Sequence, residues 1–414
     1  MKELIMIIAG TLFSVLFLFL VFIFCIFIAS QIVRRKEHYF EPGITVVVPA
    51  YNEEKNIQEC IQSIYDSDYD NKKMDIIVID DGSSDNTLKL LKKFKKIRVI
   101  RQNHQGKVEA LNNGSKASKK QFIVTIDADT IVEKNCIKEL VKPFYDEKVG
   151  ATTGNNMVRN KESWIAVFQN VEYHHQNLIR NSFSKTFNSG IWFSGSLAAY
   201  RKSALKSIKY FKKDTMAEDQ DIALEIRKDG YKIINSSKAL GYTIVPSSLK
   251  ELFRQRSRWW IGTLQAIVKN KSLFNRKSSP SVLFLYIAQF WWSFYAFLSL
   301  PLIMYQISYW LPYNNSSASS VASYLFKWFS LYGPLWVLWR IPEFGISFYS
   351  IFGVLAAVIT TVINLFAIKM FKDKITIKNL LAIIFYFPYT IVLNIIILVS
   401  LIRNKFWERS FYIK

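Results

Sequence analysis

Cysteine is scarce. Cys25, Cys60 and Cys136 are the three in 414 residues, far apart and odd in number. Their spacing forms neither a disulfide framework nor a zinc site, which fits a reducing compartment for the middle of the chain. Internal repeats and low-complexity tracts are absent as well, so nothing suggests a solenoid or a disordered tail. Acidic residues are the minority: 32 Asp and Glu face 54 Lys and Arg, a formal charge of +22. Such an excess points to anionic partners. Apolar segments flank the middle of the chain, which favours lipid headgroups and an anionic substrate over nucleic acid.

Half of the residues are hydrophobic, and they are unevenly placed. Residues 4–30 form an uncharged apolar run of 27 residues. That is long enough to cross a bilayer with some tilt, and longer than the core of a cleaved signal peptide. Arg34-Arg35-Lys36 follows at once. By the positive-inside rule this end faces the cytoplasm, and the middle domain with it. The composition divides the chain into an N-terminal span (1–36), a soluble α/β domain (40–248), an amphipathic interface segment (249–279) and a C-terminal membrane region (280–414) of three or four helices. The expected location is a cell membrane, crossed several times.

The soluble domain reads as strand alternating with helix. Strands are expected at 43–49, 75–79, 97–100 and 121–126, and helices at 56–65 and from about 107 to 117. This alternation implies an α/β fold with a mostly parallel sheet and ligands at the carboxyl ends of its strands. The acidic clusters fall there. Residues 121–131, QFIVTIDADTI, run from a β-branched apolar strand into Asp127-Ala128-Asp129. Two carboxylates so placed are costly near a core unless a cation neutralises them, and a hard divalent ion does so while leaving positions for phosphate oxygens. An isolated pair of this kind is also compatible with a solvated turn. Asp80-Asp81-Gly82-Ser83 ends the second strand, where an Asx turn is the plain alternative.

Taken together, VPAYNEE, IDDGSSDNT, GKVEALNNG and IDADT, in this order and spacing, resemble a family 2 glycosyltransferase with the GT-A fold. The resemblance covers roughly residues 44–260. It implies a nucleotide-sugar donor, an inverting reaction and Mg²⁺ or Mn²⁺. Further motifs narrow it. Glu218-Asp219 sits in MAEDQ, and Gln255-Arg256-Ser257-Arg258-Trp259 matches QxxRW. This set resembles the processive branch, which includes cellulose, chitin and hyaluronan synthases. The segments VRNKESWIAVFQNVEY and FPYTIVLN look most like the poly-β-1,6-N-acetylglucosamine synthases. One departure is that the usual TED reads Ala217-Glu218-Asp219.

The resemblance implies roles. Asp129 and Asp127 would hold the metal. Asp80 and Asp81 would read the uracil and ribose, since a carboxylate accepts from an imide N–H and from hydroxyls. Asp219 would be the general base beside Glu218; both also suit the first turn of a helix. Arg256 and Arg258, with Gln255, offer forks for a diphosphate. Lys107 reaches the donor or is a solvated lysine. Trp259 gives a sugar a flat face or is an interfacial tryptophan. Ser194, Gly195 and Asn155 are candidate acceptor contacts. His174-His175 point apart on a helix and so do not form a metal pair.

Beyond residue 280, apolar runs cover 282–311, 344–368 and 380–402, with a polar loop at 312–320. Residues 324–339 are apolar but carry Lys327 and a Gly333-Pro334 break. If they span, the C-terminus is cytosolic; if they lie at the interface, it is outside. The leading expectation is a membrane-embedded synthase extending a β-linked polysaccharide from a UDP-sugar, UDP-N-acetylglucosamine favoured, with export and an accessory subunit both compatible. A transferase of one sugar to a lipid phosphate and an inactive scaffold subunit are the rivals.

Overall fold

The structure is a computed structural model, and it describes residues 2–34, 38–310, 317–345 and 348–403. Arg35 and Lys36, most of the 312–320 loop, and Lys405 and Arg409 lie outside these residues. Among these residues, eight strands form one sheet: β1 Ile44–Ala50, β2 Met74–Asp80, β3 Ile97–Arg101, β4 Phe122–Ile126, β5 Ile131–Val132, β6 Val149–Val158, β7 Leu197–Arg201 and β8 Lys232–Thr243. Their order is β3-β2-β1-β4-β7-β6-β8-β5.

The run β3-β2-β1-β4 is parallel, as strand–helix alternation requires. β7 is antiparallel to both β4 and β6, while β6 and β8 are parallel and β5 is antiparallel to β8. The sheet is therefore mixed, with parallel pairings in the majority. β1 and β4 are buried along nearly their whole length, because helices cover both faces. Each fully buried Ile or Val contributes about 1.5–3 kcal/mol by leaving water. The antiparallel β7 has a functional consequence. It begins beside Ile126, where β4 ends. The loop before β7 is thereby brought to the acidic edge.

The helix Trp164–Phe187 lies between this domain and the apolar helices. Leu178, Ile179 and Phe183 on it pack with Ile23 and Phe27 of the helix Lys2–Ile32, Phe284 of Pro280–Trp310 and Ile363 of Phe348–Met370. Among the described residues, four helices are long and apolar enough to cross a membrane: Ile7–Ile32, Pro280–Tyr305, Ile351–Met370 and Tyr386–Arg403. Residues 324–339 do not form one. They fall into the helices Ala318–Phe329 and Tyr332–Trp339, of 12 and 8 residues, broken at Ser330-Leu331.

Candidate active site

Four segments converge at the carboxyl edge of the sheet. β4 runs into Asp127, whose N–H donates to the Ser196 carbonyl (3.0 Å). Gly106, at φ +90°, turns the chain into the helix Lys107–Ala117. Lys107 then stands 2.7 Å from both carboxylate oxygens of Asp127 and 3.8 Å from Glu218. Burial alone would lower the Lys107 pKa; the Asp127 and Glu218 carboxylates outweigh it and hold the ammonium charged. Among the described residues, no such cation stands against Asp129. Its Oδ1 faces the hydroxyls of Thr130 (3.2 Å) and Thr243 (3.4 Å). Burial, then the Asp127 charge, pushes its carboxyl up to about 6.

Glu218 and Asp219 open the helix Glu218–Lys228. Asp219 is fixed by two backbone donors, Gly195 N–H on Oδ2 (2.9 Å) and Gln220 N–H on Oδ1 (2.8 Å). A Cβ at Gly195 would lie 2.8 Å from Asp219 Cβ, so glycine permits this approach. The Asn156 amide bridges the Ser194 and Ser196 hydroxyls, 2.7 Å from each. Burial raises the Glu218 pKa, against the pull of Lys107.

The interface helix Leu249–Lys269 begins at a capping box, Ser248 with Glu251. It packs closely behind the acidic pair: a Cβ at Gly262 would stand 2.4 Å from Ala217 N. Gln255, Arg258 and Trp259 line the cavity beside Asp219. Trp260 Nε1 donates to Ser293 Oγ (3.2 Å), which ties this helix to the first C-terminal apolar helix.

Several of the expected residues have other partners in the structure. Arg256 is not an open fork for diphosphate. It is 8% exposed, and its Nη2 donates to Glu172 (3.0 Å). Asn155 is fully buried, and its amide donates to the Ser236 and Ser237 carbonyls (2.9 and 3.1 Å), so it offers an acceptor nothing. Gly195 contributes its backbone N–H to Asp219 rather than an acceptor contact. Asp80 and Asp81 are buried, and in this structure they order a loop. Asp81 accepts from Gln105 N–H and Gly106 N–H, both at 2.9 Å, and Asp80 from Ser83 N–H at 3.2 Å. Tyr51 and His104 stack over that loop, centroids 4.1 Å apart. His174 is buried against the Asn170 carbonyl, whereas His175 faces the cavity and meets Asn364 at 2.7 Å. Of the residues not anticipated, Glu172 had one signal: a lone carboxylate inside the long helical segment 164–187.

The cavity has a volume of about 1910 Å³. Lys107, Asp127, Asp129, Glu218 and Asp219 form its polar end. It continues between the apolar helices past Trp292 and Tyr295, while Trp291 is not part of its wall. Small-molecule sites usually occupy roughly 300–1,000 Å³, so this space exceeds one sugar nucleotide. Among the described residues no three His, Cys, Asp or Glu side chains are grouped to hold a metal. The pair Asp127 and Asp129 nevertheless fits a hard cation. Its donors are all oxygen, no described residue sets a cation against Asp129, and two carboxylates leave positions for phosphate oxygens.

The model of a family described as glycosyltransferase like family 2 matches residues 42–262. Poly-beta-1,6-N-acetyl-D-glucosamine synthase of Staphylococcus aureus (strain COL) is 34% identical over 235 residues, 55% of this chain and 56% of that protein. The protein of the same name from Staphylococcus epidermidis is 30% identical over 246 residues, 57% and 58% of the two chains. The chain thus spans about half the length of the curated relatives it matches. A mannosyltransferase from Pyrobaculum calidifontis, PcManGT in complex with GDP-Man and Mn²⁺, shares the fold. It aligns with a TM-score of 0.58 at 19% identity, over 86% of this chain and 98% of that one. With the family match covering more than half of its residues, and the fold and acidic edge as described, this chain belongs to glycosyltransferase family 2 and carries its GT-A domain.

Proposed function

We propose that the protein adds N-acetylglucosamine from UDP-N-acetylglucosamine to the end of a β-linked polysaccharide, and does so repeatedly. The observation that carries this is one cavity that joins the carboxylates of Asp127, Asp129, Glu218 and Asp219 to Arg258 and Trp259, then continues between apolar helices. A transferase acting on a soluble single-sugar acceptor needs no such continuation. The names of the curated relatives support the choice of sugar.

Transfer needs the leaving diphosphate neutralised, the acceptor hydroxyl deprotonated and both held in line. Lys107 and Arg258 supply charge for the diphosphate. Mg²⁺ or Mn²⁺, held by Asp127 and Asp129, would add charge neutralisation there. Asp219 takes the acceptor proton. Its two backbone hydrogen bonds fix the carboxylate in orientation while leaving each oxygen a further lone pair. Trp259 supports the terminal sugar. The inverting outcome follows from a single in-line displacement with the base on the acceptor side.

The reading places the domain in the cytosol. Asp373, just past Phe348–Met370, pairs with Lys161 of the domain (2.7 Å), so that helix returns to the domain side. With residues 324–339 broken into two short helices that do not cross, Tyr386–Arg403 then ends on the far side. A bilayer surrounds the four spans, and an accessory subunit is compatible with the apolar surface they leave. The test is a donor screen on purified protein in detergent, with products digested by linkage-specific hydrolases. UDP-N-acetylglucosamine should give UDP release and a polymer cut by a β-N-acetylglucosaminidase. Turnover confined to another sugar nucleotide would overturn the choice of donor.

A further inference from the structure

Arg256 fills an unspecified position of QxxRW, its guanidinium is taken up by Glu172, and what holds it reaches into the membrane region. Glu172, 6% exposed, lies midway along the helix Trp164–Phe187. Its Oε2 accepts from Arg256 Nη2 (3.0 Å) and from the Tyr389 hydroxyl. Its Oε1 accepts from the Gln176 amide (2.8 Å). Tyr389 is itself 6% exposed, in the first turn of the last apolar helix, and stacks on Phe168 with centroids 5.2 Å apart. On its other side, the Arg256 guanidinium sits 4.4 Å from the centre of the Trp259 ring and 5.8 Å from that of Tyr173. A buried guanidinium against an indole face is a strong, directional contact.

We propose that Glu172 and Tyr389 are positioning residues for the acceptor. They hold Arg256 against Trp259, which sets the plane of the indole on which the sugar end rests. They also keep a permanent cation from swinging toward the diphosphate. The relay Tyr389–Glu172–Arg256–Trp259 thereby ties the last apolar helix to the acceptor platform. Breaking one buried partner leaves the others in place but mobile, since an unpaired buried charge seeks a new partner. The inference rests on Trp259 being the acceptor platform.

The experiment compares the full-length protein with Tyr389→Phe, Glu172→Gln and Trp259→Ala in detergent. Tyr389→Phe removes one hydroxyl and keeps the stacked ring; Glu172→Gln keeps the shape and removes the charge. Donor KM and short-oligosaccharide acceptor KM are measured separately, together with UDP released per sugar incorporated. We expect acceptor KM to rise by roughly ten- to a hundredfold, the usual cost of a misplaced reactant, with donor KM changing less than about twofold. UDP released per sugar incorporated should rise with it. In the Trp259→Ala background neither change should raise acceptor KM further, because residues acting through one another are not additive. A merely structural role would instead lower the melting temperature and kcat with both KM values unmoved, and that overturns the proposal. Additive effects with Trp259→Ala overturn it too. If Trp259→Ala leaves acceptor KM unchanged, the platform reading has failed, and this inference with it. If only Trp259→Ala raises acceptor KM, the relay alone is wrong.

Discussion

Replacing Asp219 by asparagine tests the chemistry at its centre. The two carboxylate oxygens each accept a backbone N–H, from Gly195 at 2.9 Å and Gln220 at 2.8 Å. An asparagine amide has one acceptor oxygen, so either orientation sets its NH₂ against one of these donors. The orphaned contact costs about 1–3 kcal/mol, felt in the loop at Gly195. The larger effect is chemical. Without a base, transfer should fall by roughly two to four orders of magnitude. Lys107, Arg258 and the Asp127–Asp129 pair are untouched, so UDP-sugar binding should persist. The assay is calorimetric or fluorescent donor binding beside radiolabelled sugar incorporation. A near-normal rate in Asp219→Asn would refute the assignment and move the base to Glu218. Parallel loss of donor binding would show that the variant has disturbed the site rather than its proton transfer.

Other consequences follow from the same geometry. Chelation should abolish turnover, Mg²⁺ or Mn²⁺ should restore it, and Asp129→Asn should lose metal-dependent donor binding; full activity in chelator contradicts the site. Gly195→Ala puts a Cβ 2.8 Å from Asp219 Cβ, so transfer should drop by about a hundredfold with donor binding retained, read in the same two assays. His174 is kept neutral by burial, its pKa lowered below the ordinary value of about 6.5. Its contribution is therefore complete above about pH 6.5 and is lost as pH falls through the lowered folded value. The melting temperature of purified protein should fall between pH 7 and pH 5, and less steeply in His174→Asn; equal slopes contradict the assignment. Protease added to sealed right-side-out cells should spare residues 40–275, and cleavage there before permeabilisation would reverse the orientation.

The parallel half of the domain was legible because its strands are short β-branched runs ending in acidic turns. β1 to β4 lie within one residue of the expected limits. The antiparallel β7 was not, since its pairing with β4 depends on contacts some seventy residues apart. That strand delivers Gly195 to Asp219, so half of the surroundings of Asp219 was invisible in the motif. Arg256 shows the same limit. Sequence identifies it as a phosphate-type fork, but helical phase and the buried Glu172 carboxylate direct it inward. Asn155 follows a similar pattern: a polar residue after a strand looks available, whereas the β6–β8 bulge gives its amide two carbonyls. The acidic residues at the sheet edge were legible because their cost near a core demands a purpose. The residues that orient them were not, because hydrogen-bond partners are set by the fold.

Product length under acceptor excess tests the central claim most directly. Purified protein is given UDP-N-acetylglucosamine with a large excess of a short primer, and products are sized before a tenth of the primer is used. A repeating transferase gives long chains beside untouched primer, sensitive to β-N-acetylglucosaminidase. A uniform product one sugar longer than the primer, or transfer only to a lipid phosphate, would contradict the account.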